Sequence, residues 1–202
     1  MANWLLLHAN IEKVYIDESG FHLWMRRSMG RSARGLPAFR LVSARQSKHM
    51  STIFAVSNEQ GLVHHTFKEG GFNAEAFKEF LEQCSQQLNR PVVFIFDNAP
   101  SHNSAVTANL QVSHSYKFQP PYSPFLNICE GSFSIWKAAF KRLMVEVRYD
   151  LLQQPHQLRL ATMMQLAEQA IEVVTCEKIR RLYHHSLTHI PACLAGEDIY
   201  HE

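Results

Sequence analysis

Apolar residues along this chain fall into two rhythms: short β-branched and aromatic runs, and stripes that recur every three to four positions. Val14-Tyr15-Ile16 belongs to the first kind and leads into Asp17 and Glu18 ahead of Gly20, the pattern of a buried strand whose end reaches a polar site. Phe39 to Ala44, Met50 to Val56 and Leu62 to Phe67 read as further strands. Asn58-Glu59-Gln60-Gly61 supplies the turn between the last two, so an antiparallel meander is expected. Val92-Val93-Phe94-Ile95-Phe96 lacks alternation, as a central strand covered on both faces would, and stops at Asp97 before Asn98-Ala99-Pro100-Ser101 breaks it. Tyr116-Lys117-Phe118 is another short strand, followed by the proline-rich loop Gln119 to Pro124.

The second rhythm marks helices. Asn73 is placed to cap one whose apolar residues Phe77, Phe80, Leu81, Cys84 and Leu88 share a stripe. A short helix is expected from about Ser104 to Gln111, and a longer one opens near Asn127 with Phe133, Trp136, Phe140 and Leu143 on its apolar face. After Pro155 the amphipathic pattern from Leu158 to about His184 predicts one long helix, with Met163 and Met164 as core filling, and no element is assigned beyond Pro191. This order predicts an α/β fold with a mixed central sheet flanked by helices. Residues 1–150 are expected to form the main domain, and 151–202 a helical extension packed on it. Both strand-end aspartates would then sit beside loops, where ligands bind in sheets of this class.

Composition sharpens the picture without changing it. A chain of 202 residues with 46% hydrophobic content can bury one sizeable core. Cys84, Cys129, Cys176 and Cys193 are widely separated and form no CxxC pair, which argues for a reducing, intracellular setting over a disulfide framework. That setting would be the nucleus in a eukaryote, or the cytoplasm and nucleoid in a bacterium. The Trp4-Leu5-Leu6-Leu7 run is too short for a signal core and no long apolar span exists, so a soluble protein is expected. The paired histidines His64-His65 and His184-His185 diverge on a strand or a helix and do not make a metal site.

Charge is uneven. The net charge is +2, yet between Ser19 and Asn58 there is no acid against Arg26, Arg27, Arg31, Arg34, Arg40, Arg45 and Lys48, so this segment carries +7 and the remainder −5. A polyanion-binding edge needs such asymmetry; a solvated basic hairpin is the plainer alternative.

Three acids stand at element boundaries. Phosphoryl transfer on a nucleic-acid backbone uses two metal ions roughly 3.5–4 Å apart, one at the attacking and one at the leaving oxygen. Carboxylates are the hard ligands for such ions. Gathered without cations, they would repel by about 4 kcal/mol per pair at 4 Å and an effective dielectric near 20. Asp17 and Glu18 point to opposite faces of a strand, so only one enters a given site, and Asp17 is the choice. Glu130 has a rival explanation, since Asn127-Ile128-Cys129-Glu130 has the spacing of a capping box.

Val14 to Phe21, Phe94 to His102 and Pro120-Pro121-Tyr122-Ser123-Pro124-Phe125-Leu126-Asn127-Ile128-Cys129-Glu130 together resemble the three signature blocks of mariner-like DDE transposases. The likeness extends to the Glu69-Gly70-Gly71 turn and to Cys193-Leu194-Ala195-Gly196-Glu197-Asp198-Ile199. It implies a ribonuclease H-like fold and metal-dependent DNA strand cleavage and strand transfer. Asp17, Asp97 and Glu130 would be the catalytic, metal-binding triad, with 32 residues between the last two, holding two Mg2+ or Mn2+ ions. It implies DNA, as transposon ends and target, for the partner, admits a homodimer, and involves no membrane. Asn98 and His102 fall on polar positions of the second block and would orient a carboxylate or touch a phosphate. Lys137 and Lys141, seven and eleven residues after Glu130 on one helix face, and Arg26, Arg27, Arg31 and Arg34 would hold the DNA backbone.

Two departures stand out. Ile128-Cys129 replaces the family's usual Pro-Ile, and loss of a proline that presets the first helical turn is expected to loosen Glu130. The family carries an N-terminal helix-turn-helix region, which the thirteen residues before Val14 are too few to encode, so a fragment or truncated element is expected. The rival readings are a general ribonuclease H-like nuclease and a domesticated or truncated relative that binds DNA without cutting.

Overall fold

The apolar run at Val14 grows into a strand of nine residues, β1 (Lys13–Phe21). The computed structural model describes residues 1–22, 31–37, 49–100, 102, 114–121 and 123–197. The strand expected at Phe39 to Ala44, the helix at Ser104 to Gln111, Arg26, Arg27 and the closing Asp198-Ile199 lie outside the described residues.

β1 pairs antiparallel with β2 (Met50–Ser57), which pairs antiparallel with β3 (Gly61–Glu69). The turn between β2 and β3 ends on Gly61 at φ 87°, where a side chain would be strained and would also press on Cys176 at 3.0 Å. On its other edge β1 pairs parallel with β4 (Val93–Phe96), and β4 pairs parallel with β5 (Ser115–Phe118), giving the order β3-β2-β1-β4-β5. The sheet is mixed, and β4 is buried on both faces, Val93 and Ile95 in one core and Phe94 and Phe96 in the other, as its unbroken apolar run requires.

Alternation along the strands sends side chains into two cores. Val14, Ile16, Ile53, Ala55, Phe94 and Phe96 face α2 (Ala74–Gln86), which buries Phe77, Phe80, Leu81 and Cys84 and is capped by Asn73 accepting from the Ala76 N–H at 2.9 Å. Tyr15, Phe54, Val56, Val93 and Ile95 face the other way, against α3 (Ile128–Gln153). Trp136 of α3 is fully buried there beside Phe21, Phe54, Phe67 and Phe140.

The long helix expected from Leu158 to His184 is two helices, α4 (His156–Ile171) and α5 (Cys176–Thr188). The break falls at the β-branched Val173-Val174-Thr175, where Thr175 accepts from the Lys178 N–H and the Lys178 ammonium donates to the Val173 carbonyl, satisfying groups a continuous helix would have paired. The bend keeps Val174 buried and lets α5 return across α3. A short α6 (Ile190–Ala195) follows, with Pro191 in its first turn and Gly196 in a left-handed C-terminal cap. The division expected at residue 150 falls inside α3, and Met163, Ala167, Ile179 and Tyr183 share the core of α3 and the sheet.

At the amino end, α1 (Ala2–Leu7) is tied down by Lys13, whose buried ammonium donates to the His8 and Ile11 carbonyls at 2.7 Å each. All four cysteines are free. Among the described residues, no helix is long and apolar enough to cross a membrane.

Candidate active site

The parallel ladder between β1 and β4 places the first two acids. Lys13, Val14 and Tyr15 align with Val93, Phe94 and Ile95, and the same register carried two residues further sets Asp17 level with Asp97. Both were expected at strand ends. Asp97 does follow the last residue of β4, but Asp17 is in mid-strand, because pairing with β2 continues to Phe21 opposite Met50. Asp17 is terminal only toward β4, which stops beside it and leaves that edge of β1 open. By strand alternation it shares the α3-facing side with Tyr15.

One amide joins Asp17 to the start of α3. Asn127 donates from Nδ2 to Asp17 Oδ2 at 2.6 Å while its Oδ1 accepts the Cys129 N–H at 3.0 Å. Asp17 Oδ1 accepts the Glu18 N–H at 2.7 Å. The backbone N–H of Asn127 goes to the Pro124 carbonyl at 2.9 Å, so the reciprocal half of a capping box is not made. Glu130, exposed in the first turn of α3, is therefore not held as a cap.

Burial pushes the Asp17 carboxyl up to about 7, and the charges of Glu130 and Asp97 add to the rise against the bonds from Glu18 and Asn127. Asp97 behaves oppositely. His102 Nδ1 lies 2.6 Å from Asp97 Oδ1, and that hydrogen bond holds the carboxyl below its usual range. Burial disfavours the His102 charge, but Asp97 and Glu18 outweigh it and lift the imidazole to about 9. Its Nε2 is 3.3 Å from Glu18 Oε1.

Lys137 also enters this field. It donates to Ser19 Oγ at 2.6 Å, and burial lowers its ammonium below the usual lysine range, opposed by the charges of Glu130 and Asp17. Lys141 bears on it from the next turn of α3. Cys129 is fully buried, its thiol held neutral by burial and by Asp17 and Glu130, and it donates to the Tyr15 carbonyl at 3.3 Å. No soft ligand is thus presented beside the acids.

Among the described residues, no three His, Cys, Asp or Glu side chains form a ready-made metal cage. Asp17 nevertheless feels the charges of both Glu130 and Asp97, and the cost of ionising it in their company is what a divalent cation would relieve. Hard oxygen donors of this kind fit magnesium or manganese.

The sequence pattern of the DDE superfamily endonucleases matches residues 12–151. The chain belongs to that family. Among solved structures, the Mos1 strand transfer complex is similar over 100% of this chain and 60% of its own, at 19% identity and a TM-score of 0.73. A pre-cleavage Mos1 transpososome gives 0.71 at 16% identity, over 100% of this chain and 60% of its own. The Mos1 mariner paired end complex with Mn gives 0.68 at 20% identity, over 94% and 56%. At these identities the likeness shows the fold, which is ribonuclease H-like. The chain spans about 60% of the length of the Mos1 chains it matches. No curated protein matches it.

Within this DDE endonuclease fold, the structure brings Asp17, Asp97, Glu130, His102, Lys137 and Lys141 into one field. Asn98 is exposed just past β4. Arg31 and Arg34 lie on a separate, exposed segment. Sequence reasoning missed Ser19, weighed Glu18 only as the alternative to Asp17, and saw Asn127 only as a cap. Its capping signal was real; the bond to Asp17 was invisible because it spans 110 positions. A cavity of about 440 Å³ also opens beside Glu130, walled by Phe125, Gly131, Leu182 and His185.

Proposed function

We propose that this chain is the catalytic domain of a mariner-like DDE transposase, which cuts DNA strands and joins them using Asp17, Asp97 and Glu130 to hold two Mg2+ or Mn2+ ions. The observation that carries this is the Asp17 carboxyl, half-buried and raised to about 7 with Glu130 and Asp97 acting on it. Bound divalent ions supply activation of the attacking oxygen and charge compensation at the leaving oxygen. The protein's own groups set the geometry. Asn127 fixes Asp17 against the start of α3, and His102 fixes Asp97 beyond β4.

Lys137 and Lys141 on α3 would contact the phosphates flanking the scissile bond, with Arg26, Arg27, Arg31 and Arg34 extending the backbone track. The similar Mos1 structures are paired end and strand transfer complexes, which supports transposon ends and target as partners and a homodimer as the working state.

The test is nicking of supercoiled plasmid by the purified chain in Mn2+. Cation-dependent nicking abolished by Asp97→Asn is expected. Nicking that survives Asp97→Asn, or that persists in chelator, overturns the reading. A pre-nicked terminal-repeat duplex set against random duplex separates a transposase from a general nuclease, since equal cutting of both favours the latter.

A further inference from the structure

Neighbours Asp17 and Glu18 serve opposite faces of the sheet, and the structure gives Glu18 a destination. Its Oε1 meets His102 Nε2 at 3.3 Å, and the other ring nitrogen meets Asp97 Oδ1 at 2.6 Å. His102 is 4% exposed, its ring stacked on Phe77 at 4.0 Å and met edge-on by Phe96 at 5.9 Å. Held against these aromatic neighbours, the ring presents one nitrogen to each carboxylate. Glu18 and Asp97 are thus joined through one imidazole ring.

Asp97 depends on that link. It lies beyond the last residue of β4 with its side chain 61% exposed, so strand pairing does not fix it. The remaining bond, from the Ala99 N–H at 3.2 Å, also falls on Oδ1. Among the described residues Oδ2 is left without a bond to protein and available to a cation.

We propose that Glu18 is a positioning residue for the DNA-cleaving site: through His102 it fixes the Asp97 carboxylate in the orientation that binds the divalent ion. This rests on the metal-site reading of Asp17, Asp97 and Glu130. A carboxylate behind a histidine is a known way to orient a metal ligand; here the histidine orients a second carboxylate. The plainer role, a tie between β1 and the segment after β4, would contribute to stability and leave cation affinity untouched.

The experiment is a Mn2+ titration of the whole chain, with free Mn2+ read by electron paramagnetic resonance, for wild type, Glu18→Gln, His102→Gln, the double variant and Asp97→Asn. Glu18→Gln is expected to weaken Mn2+ binding about 10- to 100-fold with little change in thermal midpoint. The double variant should bind no more weakly than His102→Gln alone, because Glu18 acts through that ring. In plasmid nicking, the Mn2+ concentration for half-maximal rate should rise by the same factor while the rate at saturating Mn2+ recovers. Wild-type affinity in Glu18→Gln, with affinity lost in Asp97→Asn, overturns the role of Glu18 alone. Wild-type affinity in Asp97→Asn overturns the metal-site reading and this inference with it. Should Glu18→Gln not fold, Glu18→Asp withdraws the carboxylate by one methylene and gives the same readout: weaker binding supports the proposal and unchanged binding overturns it.

Discussion

Asp17→Asn separates the cost of ionising the site from the hydrogen bonds around it. Burial first, and then the charges of Glu130 and Asp97, push the Asp17 carboxyl up to about 7 from an ordinary 3.8. A folded-state pKa above the unfolded one means that the native chain holds a proton the unfolded chain has released, so stability falls as pH rises from 3.8 through about 7. Taken whole, the displacement is worth about 4 kcal/mol above that range. The carboxyl is half-buried, and solvent screening brings a working figure to about 2 kcal/mol. An amide escapes this penalty but has one acceptor oxygen where the carboxylate used two, and Asn127 cannot reverse its own amide because Oδ1 is committed to the Cys129 N–H. One hydrogen bond is lost, at about 1 kcal/mol. In chelator the substitution should therefore stabilise by about 1 kcal/mol at pH 8, be nearly neutral at pH 5, where roughly a third of the penalty is already present, and destabilise by about 1 kcal/mol below the ordinary carboxyl range, moving Tm by about 2–4 °C in opposite directions at the two extremes. Added Mn2+ should raise the Tm of wild type at the higher pH and leave the variant almost where it was. Thermal melts across this range decide the matter: a variant-minus-wild-type difference that stays constant with pH refutes the electrostatic coupling.

The other perturbations probe the scaffold. Asn127→Ala removes both the cap of α3 and the bond to Asp17, about 1 kcal/mol each, and should lower the urea midpoint together with nicking; a midpoint unchanged from wild type would show the cap to be dispensable. Gly131→Ala would set a Cβ 2.4 Å from Leu182 Cδ2, so overpacking of about 1–3 kcal/mol should exceed a helix-propensity gain of about 1 kcal/mol. The loss should disappear when Gly131→Ala is made in a Leu182→Ala background. Trp136→Ala empties the largest fully buried site among the described residues and frees the Ala167 carbonyl that Nε1 holds at 3.0 Å; a loss of about 3–5 kcal/mol by chemical denaturation is expected, and less than 1 kcal/mol would contradict the packing described.

Much of this architecture was legible because its signals are local. The unbroken apolar run at Val93 marked a doubly covered strand, Asn73 and Asn127 marked helix starts, and the Phe77 stripe marked a packed face. Asp17 and Glu18 were assigned to opposite faces by alternation alone, and the two cores bear that out. What escaped was non-local or depended on competition. The extent of β1 past Asp17 comes from its pairing with β2. The break between α4 and α5 sits in residues that continue an amphipathic pattern, and only the capping by Thr175 and Lys178 ends the helix there. The link from Glu18 through His102 to Asp97 crosses 84 positions at its longer step, beyond any spacing rule.

The replacement of Pro-Ile by Ile128-Cys129 bears on Glu130, since a proline would have preset the turn that presents it. The structure supplies other restraints at the same place. Ile128 and Cys129 are 2% and 0% exposed, the Cys129 thiol donates to the Tyr15 carbonyl of β1, and Asn127 caps the turn while gripping Asp17. One turn along, Gly131 lets Leu182 of α5 approach the backbone, and Trp136 ties the helix to α4 through the Ala167 carbonyl. Glu130 is thus carried on a segment fixed from the sheet on one side and from α4 and α5 on the other. Those two helices lie wholly beyond the stretch that matches the family pattern, yet they pack directly behind the residue that completes the acidic trio. Removing them would expose the Trp136 core and release the turn that carries Glu130, so the helices after residue 155 are expected to be required for activity as well as for folding.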